Sequence, residues 1–196
     1  MFNDCTTPLT LLETRRSARP RDLVAPGPDE PTLARMLAIA ARTPDHGKLA
    51  PWRFVIVPAE ARAQLAETII TAYRTERPEA ARTELESFER FATQAPALVV
   101  VLSSPRPESH IPLWEQELSA GAACMNLLHA AHALGFAAGW VTGWPTYSEV
   151  VRDAFGQAPE RIAGFIFIGT PGTALEERPR PDPAAVVSTW HGTPAP

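Results

Sequence analysis

The chain has 196 residues, of which 45% are hydrophobic and 20% are charged, and its net charge is −4. This composition is typical of a globular protein with a sizeable core, and the negative charge argues against nucleic acid or an anionic membrane as the main partner. Cys5 and Cys124 lie far apart, and the N-terminus lacks the apolar stretch of a signal peptide. We therefore expect a cytoplasmic protein without a structural disulfide.

Apolar periodicity predicts helices and strands that alternate along most of the chain. The predicted helices cover Leu9–Arg16, Pro31–Arg42, Glu60–Arg74, Pro78–Ala92 and Tyr147–Phe155. The predicted strands cover Trp52–Val57, Ala97–Leu102, Phe136–Val141 and Arg161–Gly169. We expect Leu9, Leu11 and Leu12 of the first helix to face the core, and the proline-rich segment 18–30 to be a loop. The pattern indicates one α/β or α+β domain over residues 1–196, with a sheet between helices.

The longest apolar stretch, Pro112–Gly143, predicts the central helix. It begins with a polar turn, and from Leu118 to Leu134 it has no charged residue. A helix that is apolar all round is buried, whereas the polar side chains of Asn126, His129 and His132 argue against a membrane span. Beyond residue 170 the chain is rich in proline and lacks periodicity, so residues 170–196 are predicted to be an extended C-terminal arm.

Two short motifs could bind a ligand. Arg15-Arg16-Ser17 ends the first helix, and paired guanidiniums suit phosphate, although cations also lie favourably at any helix C-terminus. Arg42 and His46 flank the turn before the first long strand, where ligand groups often collect, although Asp45 could simply bond local backbone there.

Metal binding and nucleophilic catalysis have weaker support. His110 with Glu115 and Glu117 could ligate a metal, but the two glutamates point to different sides of a helix, and His129 and His132 lack an obvious third ligand. Cys124 is predicted to be a buried, unreactive residue of the core. The chain has no glycine-rich phosphate loop or nucleophile motif. An enzyme of this kind would rely on a cofactor for its chemistry.

In order and spacing, five segments together resemble the flavin-dependent nitroreductase family, in particular its short, minimal branch. They are RRSARP, ARTPDHGKLAPWRFVIV, PLWEQELSAGAA, GWVTG, and GFIFIGTP followed by RPDP. The resemblance implies an α+β fold whose mainly antiparallel or mixed sheet is sandwiched by helices. It also implies non-covalent FMN and a homodimer, in which the arm wraps the partner subunit and the second face of the central helix is buried.

The same resemblance implies an activity and a set of cofactor contacts. NADH or NADPH would give a hydride to FMN, and a nitroaromatic or quinone would then accept the electrons in a ping-pong cycle without an acid–base side chain. The implied FMN contacts are Arg15, Arg16, Ser17, Arg42, His46, Trp140, Val141 and Thr142.

The chain also departs from the family pattern. Lys48 and Ala50 replace an asparagine and a glutamine of the larger family, and Val141 stands where the short branch often has arginine. The alternative functions are a flavin-binding protein with little turnover and a metal-dependent hydrolase that uses His110, His129 and His132.

Overall fold

The computed structural model of the protein describes residues 1–192. Its helices are Pro8–Thr14 (α1), Glu30–Ala40 (α2), Arg62–Glu76 (α3), Arg82–Thr93 (α4), Leu113–Ala133 (α5), Trp144–Tyr147 (α6), Glu149–Asp153 (α7) and Pro183–Val186 (α8). Its strands are Leu23–Val24 (β1), Trp52–Ile56 (β2), Ala97–Ser103 (β3), Ala137–Val141 (β4) and Arg161–Pro171 (β5). Short 3₁₀ turns lie at Pro20–Asp22, His46–Lys48 and Ala59–Ala61.

The sheet is built around β5, which lies between β3 and β4, and β2 pairs with the far side of β3. The register places Val99 opposite Ile166 and Gly139 opposite Phe167. The end of β5 continues past β4 and pairs with β1. Every pairing within residues 1–192 is antiparallel, which agrees with the α+β prediction.

Alternation along the strands supplies a core on each face of the sheet. Leu98, Val100, Phe165 and Phe167 point toward the side covered by α3 and α4. On the other face, buried side chains of β3, β4 and β5 pack against α2 and α5. The sheet is therefore sandwiched between two helical layers, as the sequence predicts. The helix α5, which has 21 residues, is the longest of the described helices.

Three local predictions were wrong. Strand β1 lies inside the predicted loop 18–30, because two residues are too few to show a pattern. The predicted helix Tyr147–Phe155 is two short helices, divided at Ser148, whose extended backbone caps α7. In α1 only Leu11 is buried, whereas Leu9 and Leu12 are 63% and 58% exposed. A single-sided helix cannot bury positions 9, 11 and 12 together, since position 11 lies on a different face.

Beyond β5, residues 172–192 are almost entirely exposed and include only the short helix α8. Contacts of Arg16 and Arg19 with Glu176 hold the start of this segment against the N-terminal region. The wrapping of a partner subunit by the arm stays a prediction, and its residues 193–196 lie outside the described part. Within residues 1–192, no helix combines the length and apolarity needed to cross a bilayer.

Candidate phosphate and cofactor site

The triplet Arg15–Ser17 is fixed against the outer edge of β4. The backbone N–H of Ala18 donates to the carbonyl of Ala138 at 3.1 Å. A Cβ at Gly139 would lie only 2.5 Å from the carbonyl oxygen of Ala18, so glycine permits this close approach. The N–H of Arg16 also donates to Asn3 Oδ1 at 2.8 Å. The triplet thus has a defined position before any ligand binds.

Three guanidinium groups meet at the triplet. Burial, together with the nearby charges of Arg180 and Arg16, lowers the pKa of Arg15. Arg15 Nη1 donates to Ser17 Oγ at 3.2 Å, and Arg180 Nη2 donates to a carboxylate oxygen of Glu177 at 3.1 Å. Like charges repel, and an anion with several oxygens would relieve that repulsion.

Arg180 is the member of this cluster that the sequence did not identify. It follows Arg15 by 165 positions, within the proline-rich segment after β5. The signal in the sequence was the segment RPDP, residues 180–183, which belongs to the family resemblance but did not assign Arg180 to the cofactor. Its neighbours in space could not be derived from one sequence.

The second predicted group lies on the loop 42–50, which contacts α5. Ser119 Oγ donates to the carbonyl of Pro44 at 2.6 Å, and Asn126 Nδ2 donates to Thr43 Oγ1 at 3.4 Å. The loop residue His46 meets Glu115 with 2.8 Å between Nδ1 and Oε2. Arg42 is exposed just beyond α2. Both predicted residues are therefore accessible to a ligand.

The backbone of this loop is strained at its centre. Gly47, Lys48 and Ala50 have φ values of 78°, 57° and 48°, and the last two are not glycine. Such conformations cost free energy and persist where the surroundings enforce them, often at functional sites. Here the N–H of Ala50 donates to Asp45 Oδ2 at 2.7 Å, which closes the loop on itself.

The three predicted residues at the end of β4, Trp140, Val141 and Thr142, do not share one face. Trp140 lies on the α5 side, where its Nε1–H donates to the carbonyl of Ala163 at 3.0 Å, and its indole occupies the space above Gly164. Val141 points to the opposite core, against the α3 and α4 layer, and Thr142 is exposed after the strand ends. Only the side chain of Trp140 therefore faces the cleft beside α5, since alternation turns its neighbour away.

This cleft has a volume of about 500 Å³ and lies between α5, the start of β5 and the α6–α7 segment. Trp140 and Tyr147 supply its aromatic walls, and Gly121 leaves room on the helical side. The buried hydroxyls of Ser103 and Thr146 line it without a hydrogen-bond partner. Glu117 and Arg161, 3.8 Å apart, also line it. It can hold a planar ring with polar substituents.

Two histidines of α5 lie near the cation cluster. His132 is 1% exposed, and burial lowers its pKa to about 4. Its Nδ1 lies 3.2 Å from the carbonyl of Phe136, so Nδ1 carries the hydrogen of the neutral ring. Burial and the charge of Arg15 also lower the pKa of His129. Both histidines are therefore neutral at physiological pH, and neither adds positive charge there.

The remaining candidates form neither a metal site nor a reactive nucleophile in residues 1–192. Within residues 1–192, no three His, Cys, Asp or Glu side chains come together as a metal site would require. Glu115 contacts His46 and Glu117 contacts Arg161, while His110 is exposed. Cys124 is fully buried, and burial raises the pKa of its thiol to about 12, which leaves the group protonated and unreactive.

Comparisons with known proteins agree with the resemblance seen in the sequence. Residues 12–170 match the model of the nitroreductase family. The Escherichia coli (strain K12) protein YdjA, named for an NAD(P)H nitroreductase activity, is 35% identical over 168 residues, covering 83% of this chain and 87% of YdjA.

Solved structures show the same fold. A nitroreductase-like protein from Bacillus cereus superposes with a TM-score of 0.78 at 22% identity, covering 95% of this chain and 97% of that one. A nitroreductase with bound FMN from Bacteroides fragilis gives a TM-score of 0.69 at 21% identity, covering 93% of this chain and 98% of that one.

Proposed function

Since the chain belongs to the nitroreductase family and is thus an oxidoreductase, we propose that it uses non-covalently bound FMN to reduce a small electron-poor acceptor. The electron donor is NADH or NADPH, and the acceptor is a nitroaromatic compound or a quinone. A bound FMN would supply hydride and electron transfer between the dinucleotide and the acceptor, and the groups that would hold it are Arg15, Arg16, Ser17, Arg42, His46, Trp140, Val141 and Thr142. The oxidised dinucleotide leaves before the acceptor enters, which is a ping-pong order.

The cluster of Arg15, Arg16 and Arg180 carries this proposal. A phosphate monoester has a charge of about −2 at neutral pH, and planar guanidinium forks each bind two of its oxygens. Burial, and after it the charges of Arg180 and Arg16, lower the pKa of Arg15. The Ser17 hydroxyl, which already accepts from Arg15 at 3.2 Å, adds a further donor for the phosphate.

The flavin ring and the acceptor are planar, and each needs a flat surface, which β4 offers. We assign the ring to the end of this strand, with Trp140 as a wall and the backbone of Val141 and Thr142 as hydrogen-bonding groups. Arg42 and His46 are proposed as further cofactor contacts from the loop on α5. The cleft beside Trp140 is large enough for an aromatic acceptor.

A homodimer is part of the proposal. Trp114 and Leu118 on the outer face of α5 are 61% and 62% exposed, and Trp190 of the arm is 83% exposed. Large apolar side chains grouped on one helix face indicate an interface, and a second copy of the chain presents the same surface.

The unpaired cysteines Cys5 and Cys124 suit the cytoplasm.

The first test is the visible spectrum of the purified protein before and after NADH or NADPH. The proposal expects a flavin spectrum that bleaches on addition of the dinucleotide and returns when a quinone is added. A protein that keeps its flavin oxidised under both dinucleotides would instead be the flavin-binding alternative.

The second test concerns the phosphate cluster. Arg15→Ala removes a charged hydrogen bond to the phosphate, which is worth about 1.5–3 kcal/mol, or roughly 10- to 150-fold in the Kd for FMN. Titration of flavin-free protein with FMN measures this change. Arg35→Ala, an exposed arginine of α2, is the matched control and should leave the Kd unchanged. Equal Kd values for the two variants would remove Arg15 from the site.

A further inference from the structure

Two buried hydroxyl groups line the cleft beside Trp140. Ser103, the last residue of β3, is 6% exposed, and Thr146 of α6 is 8% exposed. Within residues 1–192, neither Ser103 Oγ nor Thr146 Oγ1 has a hydrogen-bond partner. Buried polar groups are nearly always paired in folded proteins, because an unpaired one bears the full cost of its lost hydration. Two such groups at one cleft indicate a ligand that pairs with them.

The aromatic wall of this cleft is fixed in place before a ligand arrives. Trp140 Nε1–H donates to the carbonyl of Ala163 at 3.0 Å. The indole lies over Gly164, where a Cβ would clash with it. On α5, a Cβ at Gly121 would lie 3.9 Å from Cη2 of the indole, so the glycine leaves that edge of the ring uncovered. A flat, preformed wall of this kind favours a planar ring as its ligand.

The two cations of the cleft already have acidic partners. Arg161 Nη1 lies 3.8 Å from Glu117 Oε1, and the two side chains are 78% and 50% exposed. Arg152 Nε donates to Asp153 Oδ1 at 2.5 Å. The fourth charged residue of the lining is Glu149, which is exposed. An anionic ligand would compete with Glu117 for Arg161 and would be repelled by Glu149, whereas a neutral ring meets neither cost.

Hydrogen-bond chemistry distinguishes between the neutral acceptors. A hydroxyl group rotates to donate its one hydrogen, and a carbonyl oxygen has two lone pairs that accept. The carbonyl oxygen of a quinone is a stronger hydrogen-bond acceptor than the oxygen of a nitro group. Buried donors therefore favour the quinone, because a weak acceptor leaves more of their lost hydration uncompensated.

We propose that the cleft selects a neutral quinone as the electron acceptor, and that the hydroxyls of Ser103 and Thr146 donate hydrogen bonds to its oxygen. This inference rests on the proposed function, and it narrows the acceptor from nitroaromatic compounds and quinones to quinones. The two hydroxyls determine specificity, and they carry neither the electrons nor the proton of the reaction.

Four compounds built on one bicyclic ring test the binding without turnover. They are indane, 1-indanone, 5-nitroindane and indane-5-carboxylate, which present no oxygen, a carbonyl, a nitro group and an anion. Equilibrium dialysis against oxidised, FMN-saturated protein gives the Kd of each. We expect 1-indanone to bind more tightly than indane by roughly 2- to 13-fold for each hydrogen bond formed. The nitro compound should bind more weakly than 1-indanone, and the carboxylate should bind most weakly.

Removal of either hydroxyl should reduce this preference. Ser103→Ala and Thr146→Val should each lower the ratio of the indane Kd to the 1-indanone Kd by roughly 2- to 13-fold. Ser87→Ala in α4 and Thr71→Val in α3 change exposed residues and are the matched controls. Tyr147→Ala, which removes an exposed aromatic wall, should weaken both ligands and leave their ratio unchanged.

Unfolding separates a role in binding from a role in the fold. The two hydroxyls have no partner within residues 1–192, so their removal should leave the urea midpoint of the protein unchanged or raise it. A lowered midpoint in both variants would show that the hydroxyls serve the fold, and it would overturn the proposal.

Turnover provides the last readout. With NADH as donor, both variants should have a higher KM for 1,4-naphthoquinone and an unchanged rate with ferricyanide, which takes single electrons and forms no carbonyl hydrogen bond. Equal Kd values of wild type for indane and 1-indanone would overturn this inference and leave the oxidoreductase intact, as would tighter binding of 5-nitroindane or of the carboxylate than of 1-indanone. Failure of NADH and NADPH to reduce the wild type would instead overturn the proposed function, and with it the role of the cleft in selecting an acceptor.

Discussion

The two halves of α5 belong to one continuous helix but lie in different environments. In the first half, Trp114 and Leu118 are exposed, and Glu115 and Ser119 bind the loop that carries His46. In the second half, the side chains that face the sheet are fully buried, and they include Cys124 and Leu127. The first half therefore presents groups to partners and ligands, whereas the second half fixes the helix in the core.

This division explains how the single helix α5 can serve two purposes. The buried half gains its stability from apolar area removed from water, about 25 cal/mol per Å², so the helix axis is fixed without help from its exposed end. The first half is then free to use polar and large apolar side chains for contacts outside the core. Substitutions in the first half should therefore affect association of the subunits, and substitutions in the second half should affect folding.

The largest effect is expected at Leu118, on the exposed apolar face of the first half. Leu118→Glu places a charge in the proposed dimer interface, and an unpaired buried charge costs several kcal/mol, enough to dissociate a dimer at micromolar concentration. The fold of each subunit should persist, because Leu118 is 62% exposed in the single chain.

Sedimentation or size-exclusion chromatography with light scattering measures the mass, and circular dichroism reports on the fold. Arg74→Glu, an exposed position of α3 on the other face of the sheet, is the control and should remain dimeric. If Leu118→Glu had the same mass as the wild type, α5 would not form the interface.

The second prediction concerns His132 in the buried half. Its pKa is about 4 in the folded chain, below the usual value of 6.5, because burial penalises the charged ring. Between these two values the unfolded chain binds more protons, so stability is greatest above about pH 6.5 and falls as the pH drops toward 4. This residue should account for a loss of roughly 2–3 kcal/mol between about pH 7.5 and pH 4.5.

Urea unfolding at both pH values measures that loss. In His132→Leu most of the loss should be absent, even if the variant is less stable than the wild type near neutral pH. The neighbouring His129, whose pKa is also lowered, contributes in the same direction and remains in the variant. An identical pH dependence in wild type and His132→Leu would show that other groups govern the acid response.

The sequence predicted the helices and long strands well, because each has a continuous or periodic apolar pattern. Strand β3 begins at the predicted residue, Ala97, and extends one residue past the predicted end. Strand β1 could not be found, since its two residues owe their conformation to pairing with the end of β5. Local patterns specify elements that bury their own side chains, whereas β1 depends on partners 146 and 148 positions away, Thr170 for Val24 and Pro171 for Leu23.

The candidate site shows the same limit. The motifs containing Arg15 and His46 could be read locally, but their partners Arg180 and Glu115 are distant in sequence. Glu115 was considered as a metal ligand, and the structure instead pairs it with His46. The opposite orientations of Trp140 and Val141 follow from strand alternation, yet the side to which each points became clear only with the packing of α5 over the sheet.

The smallest effect is expected at Cys124, at the centre of the buried half. Its thiol is fully buried with a pKa raised to about 12, so it is neither a nucleophile nor a redox group under ordinary conditions. Cys124→Ala should therefore keep flavin content and quinone reductase turnover within about twofold of wild type. It should lower the free energy of unfolding by about 1 kcal/mol, the usual cost of a core substitution.

Cys5→Ser is the comparison, since Cys5 is exposed and serine retains a donor for the carbonyl of His132, which the Cys5 thiol approaches at 3.1 Å. Surface changes of this kind usually lie within about 0.5 kcal/mol. Loss of turnover in Cys124→Ala with flavin content and unfolding free energy preserved would mean that the buried half of α5 has a chemical role as well, and the division between its two halves would no longer hold.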